Sequence, residues 1–172
     1  MTIIATRLLE ESGRSPAPSG HGVDDAPTRT EFQRLAEFRF QLRRFLHFSN
    51  VAAEQAGLRP QQYQLLQCVS GMPDELDPTI AHVAARMLLK HNSAVELVDR
   101  TIEQGLLRRV QDPTDQRRIL LRVTPQGERV LAALASYHLE ELNQAGPELI
   151  RALRRILTMK TNSSPRNARR AS

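Results

Sequence analysis

Residues 77 to 124 restrict the fold of this chain more than any other stretch. Asp77-Pro78 pairs an N-cap residue with a proline at the first helical position, and Ile80, Val83, Ala84 and Met87 follow at helical spacing to about Leu88. A second helix is expected from Asn92 to Gln104. Gly105 should stop it, because a residue without a Cβ takes the left-handed conformation that closes helices. The pattern then changes from steps of three and four to partial alternation. Leu106, Leu107 and Val110 precede Asp112-Pro113-Thr114-Asp115-Gln116-Arg117-Arg118, and Ile119, Leu121 and Val123 follow it, as strands flank a hairpin tip. Thr124-Pro125 repeats the N-cap and proline signal and opens another helix.

The two faces of the second helix differ in kind. At about 100° per residue, Ala94, Val95, Val98, Thr101 and Ile102 fall on one side. Asn92, Ser93, Glu96, Arg100 and Glu103 fall on the other. Short polar side chains near the start let a helix lie deep in a DNA major groove with its first residues against base edges. Asn can pair with adenine through two hydrogen bonds, and Glu can accept one from the cytosine amino group. Lys90 and His91, just ahead of the helix, are placed for phosphate, and His82 on the short helix is a further backbone candidate. Arg117 and Arg118 sit at the hairpin tip, with Arg108, Arg109 and Arg122 on its strands. A narrow minor groove concentrates negative potential and attracts an inserted arginine. Asp115, two residues before Arg117, is close enough to orient that guanidinium. Alone, the helix reads equally well as a surface helix with a solvated face, and the hairpin as a charged turn. In this order they read as a winged helix-turn-helix, a mainly α (α+β) fold with a two-stranded β wing. Double-stranded DNA is the partner this layout implies.

The flanks carry long helices. Thr30 is a plausible N-cap for a helix over residues 30 to 56, in which Phe32, Leu35, Phe38, Leu42, Phe45 and Phe48 recur at three- and four-residue steps. Phe40, Leu46 and Val51 widen the apolar face, so the helix should pack on more than one neighbour. Gly57 ends it, and Pro60 opens a helix to about residue 70 with Tyr63, Leu66 and Val69 inward. After Thr124 a helix with Val130, Leu131, Leu134, Tyr137 and Leu142 is expected to reach about Asn143 and to break at Gly146-Pro147. A last helix should then run to about Thr158 with Leu149, Ile150, Leu153, Ile156 and Leu157. The divisions expected are a disordered segment 1–29, a dimerisation helix 30–57, a DNA-binding domain 58–124, C-terminal dimerisation helices 125–159 and a disordered basic tail 160–172.

Composition narrows the function classes. The chain has 172 residues and a formal net charge of +5, which favours polyanionic partners without naming one. Lys90 and Lys160 are the only lysines, so the positive charge is almost all arginine, which can grip phosphate or guanine through paired hydrogen bonds. No apolar run approaches the roughly 20 residues that span a bilayer, and no secretory signal is visible. A cytoplasmic protein without membrane contact is expected. Cys68 is the single cysteine, so no intrachain disulfide forms, and its apolar neighbours point to packing rather than redox sensing. The histidines show no metal-ligand spacing, and no nucleophile–base pair, phosphate loop or carboxylate pair stands out. No cofactor, metal or catalytic residue is expected.

Val98-Asp99-Arg100, Gly105-Leu106, Asp112-Pro113-x-Asp115-x-Arg117 and Val123-Thr124-x-x-Gly127 together resemble the multiple-antibiotic-resistance-regulator (MarR) family of transcription factors. The resemblance covers about residues 30 to 158, and the segment from His91 to Arg100 is typical of one branch. It departs at Thr101, where the family usually has Leu and Ile102 stands ready to fill the space, and at Val123, a conservative change from Leu. The resemblance implies a homodimer on a pseudo-palindromic operator, usually a repressor, relieved by a small aromatic ligand in the crevice between platform and winged helix. It makes Arg117 the wing-tip arginine and Asp115 its orienting partner. The candidate DNA contacts are Lys90, His91, Asn92, Ser93, Glu96, Arg100, Asp115, Arg117 and Arg118. A rival reading is a winged-helix protein-interaction module without DNA affinity, kept open by Glu96, Asp99 and Glu103.

Overall fold

The computed structural model describes residues 26–160. The expectations for the first 25 residues and for the basic tail from Thr161 lie outside the described residues. Five helices and one hairpin follow in the order α1 (Arg29–Gln55), α2 (Pro60–Ser70), α3 (Ile80–Arg86), α4 (His91–Glu103), β1 (Leu107–Gln111), β2 (Ile119–Val123) and α5 (Pro125–Lys160). The fold is mainly helical with a two-stranded antiparallel sheet, as the residue pattern requires. The chain divides into two compact units, residues 49–138 and residues 26–48 with 139–160.

The first unit has a closed apolar core. Ala53, Tyr63, Leu65, Leu66, Val83, Val98 and Leu121 are buried in it, and Leu106 and Leu107 bring the root of the wing into the same cluster. Gly57 and Gly105 both have positive φ, which is why helices α1 and α4 stop beside them. Leu88, in the turn between α3 and α4, also has positive φ (55°), a conformation that costs a branched side chain energy. Gly127, in the first turn of α5, is buried, and a Cβ there would lie 2.3 Å from the Leu106 carbonyl oxygen. Only glycine permits that approach of α5 to the wing root. Thr124 caps α5 by accepting from the Gly127 amide (3.1 Å), while its hydroxyl donates to the Gly105 carbonyl (2.6 Å).

Helix α1 is capped by Thr28, whose hydroxyl accepts from the Glu31 amide (3.3 Å), and not by Thr30. Two further boundaries differ from expectation. Helix α3 is capped by Thr79, whose hydroxyl accepts from the His82 amide, and not by Asp77. Asp77 is drawn off to an arginine of the wing, and the Pro78 carbonyl accepts from the Leu121 amide (2.8 Å), extending the pairing of β2. The second correction concerns the C-terminal region. A single 36-residue helix runs through Pro147 where two helices were expected. Proline removes one backbone donor and crowds one carbonyl, a local cost of about 3 kcal/mol. Leu142, Leu149, Leu153 and Ile156 stay on one stripe past Pro147, with Leu149 and Ile156 half-buried.

In the second unit, α1 and α5 contribute facing turns. Arg34 donates to the Arg155 carbonyl (3.1 Å), Ala152 is buried, and Gln41 and Phe45 share a shallow groove with Leu142, Ala145 and Leu149. Much apolar surface stays outside. Phe32 is 59% exposed, and Leu35, Phe40, Leu46, Ile150, Leu153 and Leu157 are exposed as well. No helix of the described residues is long and apolar enough to cross a membrane.

Candidate nucleic-acid interface

Helix α4 presents two chemically distinct sides. Ala94, Leu97, Val98 and Thr101 are buried, with Val95 and Ile102 half-buried beside them. Leu97 joins the inward face although the sequence face omitted it. Thr101 is itself wholly buried. Its hydroxyl donates to the Leu97 carbonyl one turn back (2.7 Å), which satisfies the polar atom inside the core. Ile102 therefore packs alongside and does not substitute for it. On the opposite side Lys90, His91, Asn92, Ser93, Glu96 and Arg100 are all exposed. The structure thus brings six of the nine candidate residues onto one solvent-facing strip at the start of α4 and along it.

The wing supplies the others. The hairpin pairs Leu107 with Val123, Arg109 with Leu121 and Gln111 with Ile119. Leu107 and Leu121 face the core, so β1 and β2 cannot slip by one residue without exposing them. Arg108 lies directly opposite Arg122, both exposed, and neither makes an ion pair among the described residues. Like charges opposite each other on a ladder repel, so this pair adds no stability to the hairpin. At the tip, Arg117 is 94% exposed on its side chain. Asp115 accepts from the Arg117 amide (3.0 Å) and lies 3.6 Å from the Arg117 Nε, so it biases the direction of the guanidinium without enclosing it.

Arg118 differs from its neighbour. Its guanidinium bonds Asp77 at 2.5 Å and Asp112 at 3.3 Å, and it is only 40% exposed. Two intrachain carboxylates thus engage Arg118, which sets it apart from Arg117 among the candidate contacts. Asp112 is the hub of the tip. Its Oδ1 accepts from the Thr114 hydroxyl (2.6 Å) and the Thr114 amide (2.8 Å), and its Oδ2 meets Arg118. Those bonds to Thr114, led by the hydroxyl and helped by the Arg118 charge, hold the Asp112 carboxyl below the usual aspartate range. The bond from Asp77 raises the Arg118 guanidinium further above its ordinary value.

Other charged residues are also occupied. Arg109 bonds Asp99 on α4 at 2.7 Å. This pair straps the wing to α4 and takes Asp99 out of the acidic set that kept the protein-interaction reading open. His82 has its Nδ1 2.6 Å from the Asp77 carbonyl oxygen. Cys68 is half-buried on α2, and burial raises its thiol above the ordinary value while nearby Arg86 opposes the shift. Asp77 and Asp112 are the partners of Arg118 that local pattern missed. Only their separation from Arg118 across the turn of the fold reveals them.

A family model described as MarR family matches residues 56–118. A protein of Thauera aromatica named as a transcriptional regulatory protein for the hcr operon is 32% identical over 103 residues, which is 57% of this chain and 60% of that one. The chain spans about 60% of the length of the curated relatives it matches. Among solved structures, CouR from Rhodococcus jostii RHA1 bound to p-coumaroyl-CoA superposes with a TM-score of 0.58 at 22% identity, over 86% of this chain and 100% of that one. A complex of MepR from S. aureus with DNA superposes with a TM-score of 0.54 at 19% identity, over 81% of this chain and 100% of that one. At these identities the structural likeness bears on the fold.

Proposed function

Because this chain belongs to the MarR family, we propose that it is a sequence-specific regulator of transcription that grips double-stranded DNA as a homodimer. The observation that carries the reading is the exposed strip Lys90, His91, Asn92, Ser93, Glu96 and Arg100 on a helix whose other side is locked into a core, with Arg117 projecting from the adjoining wing. In this reading Asn92, Ser93 and Glu96 read base edges in the major groove, and Arg100 and the cations ahead of the helix hold the register. Arg117, aimed by Asp115, enters the minor groove. Arg108 and Arg122 add phosphate contacts, since an anion between them relieves their mutual repulsion.

The second copy follows from the second unit. A soluble chain that keeps this much apolar surface outside calls for a covering partner, and an identical subunit supplies the same surface by symmetry. Two copies set their α4 helices about 34–36 Å apart, the spacing of successive turns of one duplex face, and the operator is then pseudo-palindromic. The protein represses, and a small aromatic ligand relieves it by binding the non-operator geometry more tightly than the operator geometry. The CouR complex suggests an aromatic acyl thioester as the ligand class. In the first unit, Ala52, Val130, Ala133 and Leu134 floor a groove of about 480 Å³ edged by Gln55, Arg129 and Tyr137, with the polarity to take an aromatic ring and an anionic group.

Selection of bound duplexes from a random library tests the reading directly. Enrichment of a two-fold related sequence is expected. Recovery of unenriched DNA, or of none at low salt, overturns it.

A further inference from the structure

Five arginines lie on the hairpin, and the structure sorts them into two groups. Arg108, Arg117 and Arg122 are open to solvent, whereas Arg109 and Arg118 are bound to carboxylates. Arg118 is the more constrained, because it reaches both Asp112 within the tip and Asp77 in the segment before α3. It also sits directly beside Arg117. Two links fasten the wing to the segment ahead of α3, and a third braces the tip from within. They are the Asp77–Arg118 pair, the Leu121 amide on the Pro78 carbonyl, and the Asp112 carboxylate that gathers Thr114 and Arg118 at the base of the tip.

We propose that Arg118 is a positioning residue, clamped between Asp77 and Asp112 to fix the wing tip so that the neighbouring Arg117 projects in one direction, and that it does not itself touch the duplex. The proposal rests on the DNA-binding reading given above. A tip held in place before binding loses little freedom when Arg117 enters a groove, whereas a loose tip must be ordered at the moment of binding. The clamp thus acts on affinity through preorganisation, and Asp77 contributes to DNA binding although it carries the same sign of charge as DNA.

That last point gives a test with opposite signs. Simple electrostatics says that removing a negative charge near the interface tightens DNA binding, and that freeing Arg118 adds a phosphate contact. The clamp says the reverse. Asp77→Asn is expected to weaken binding of a selected duplex by about three- to tenfold, in keeping with the cost of ordering one or two side chains. Arg118→Gln should weaken it to a similar extent, with little change in the slope of log affinity against log salt. The conservative Arg118→Lys, which keeps a cation between Asp77 and Asp112, should retain part of the affinity that Arg118→Gln loses.

A second readout uses the full-length protein without DNA. Amide hydrogen exchange at Thr114, Asp115 and Arg117 should speed up in Asp77→Asn while the helices α2 and α4 keep their protection. Unchanged exchange at the tip overturns the clamp. So does tighter binding by Asp77→Asn, or a salt slope in Arg118→Gln that falls by about 0.9, the signature of one lost phosphate contact. If the wild-type protein binds no duplex, the DNA reading falls and the clamp's role in binding falls with it. The exchange measurement then decides whether the clamp orders the free wing.

Discussion

The two units treat their apolar residues in opposite ways. In residues 49–138 the leucines and valines from α2, α3, α4 and the wing close on one another, and Leu65, Leu66, Val83, Val98 and Leu121 have no exposed surface. In residues 26–48 and 139–160 the same residue types stand outside, with Leu157 58% exposed. One unit completes its core from its own chain. The other leaves an apolar face open among the described residues. The contrast shows where function divides. The self-sufficient unit holds the polar strip of α4 at fixed geometry, and in the proposed reading the open one meets a second copy.

The largest effect should come from spoiling the open unit. Leu153→Asp places a charge on the exposed apolar face and is expected to convert dimers to monomers in sedimentation. Affinity for a two-fold operator should fall about 100-fold or more, because the second half-site is no longer delivered at high effective concentration. A variant that stays dimeric would show that this face is not the interface. The matching change in the other unit is Leu66→Ala. It opens a cavity in a closed core and should lower unfolding free energy by about 2–5 kcal/mol in denaturant titration. Equal and small effects from both substitutions would erase the distinction between the units.

A smaller effect tests what the closed unit displays. Arg117→Ala removes an exposed side chain with one acidic neighbour, so thermal stability should stay within about 0.5 kcal/mol of wild type. DNA affinity by fluorescence anisotropy should drop several-fold. Undiminished affinity would refute the wing-tip assignment. Asn92→Ala and Glu96→Ala belong to a different class and should shift operator preference more than affinity for random duplex.

Local pattern was enough to reveal most of the closed unit. Gly57, Gly105 and the Thr124-Pro125 pair mark real helix boundaries because caps and left-handed turns are decided within a few residues. The polar strip of α4 was legible because periodicity assigns every side chain to a face, although Leu97 slipped past a face drawn with too few members. Three features were not legible. Pro147 looks like a stop, yet one helix runs through it from Pro125 to Lys160. Asp77-Pro78 looks like a cap, but the carboxylate is claimed by Arg118, 41 residues away, and Thr79 takes over the cap. Arg118 looks like Arg117 until its partners are seen. The last two are long-range competitions for a group, and no local window records the competitor.

The closed unit has one feature that pH should expose. The buried Asp112 carboxylate organises the wing tip, and its bonds to Thr114 keep its folded pKa below the ordinary value of about 3.9. A depressed carboxylate binds its proton less readily in the folded than in the unfolded chain. Its stabilisation is therefore fully present above the ordinary value and is lost as pH falls through the lower folded value. Asp112→Asn should melt below wild type at pH 6, and the gap in melting temperature should close as pH drops beneath about 3.9. A gap between wild type and Asp112→Asn that stays constant from pH 6 to pH 3 would mean that the charge on Asp112 is irrelevant and only its shape is used.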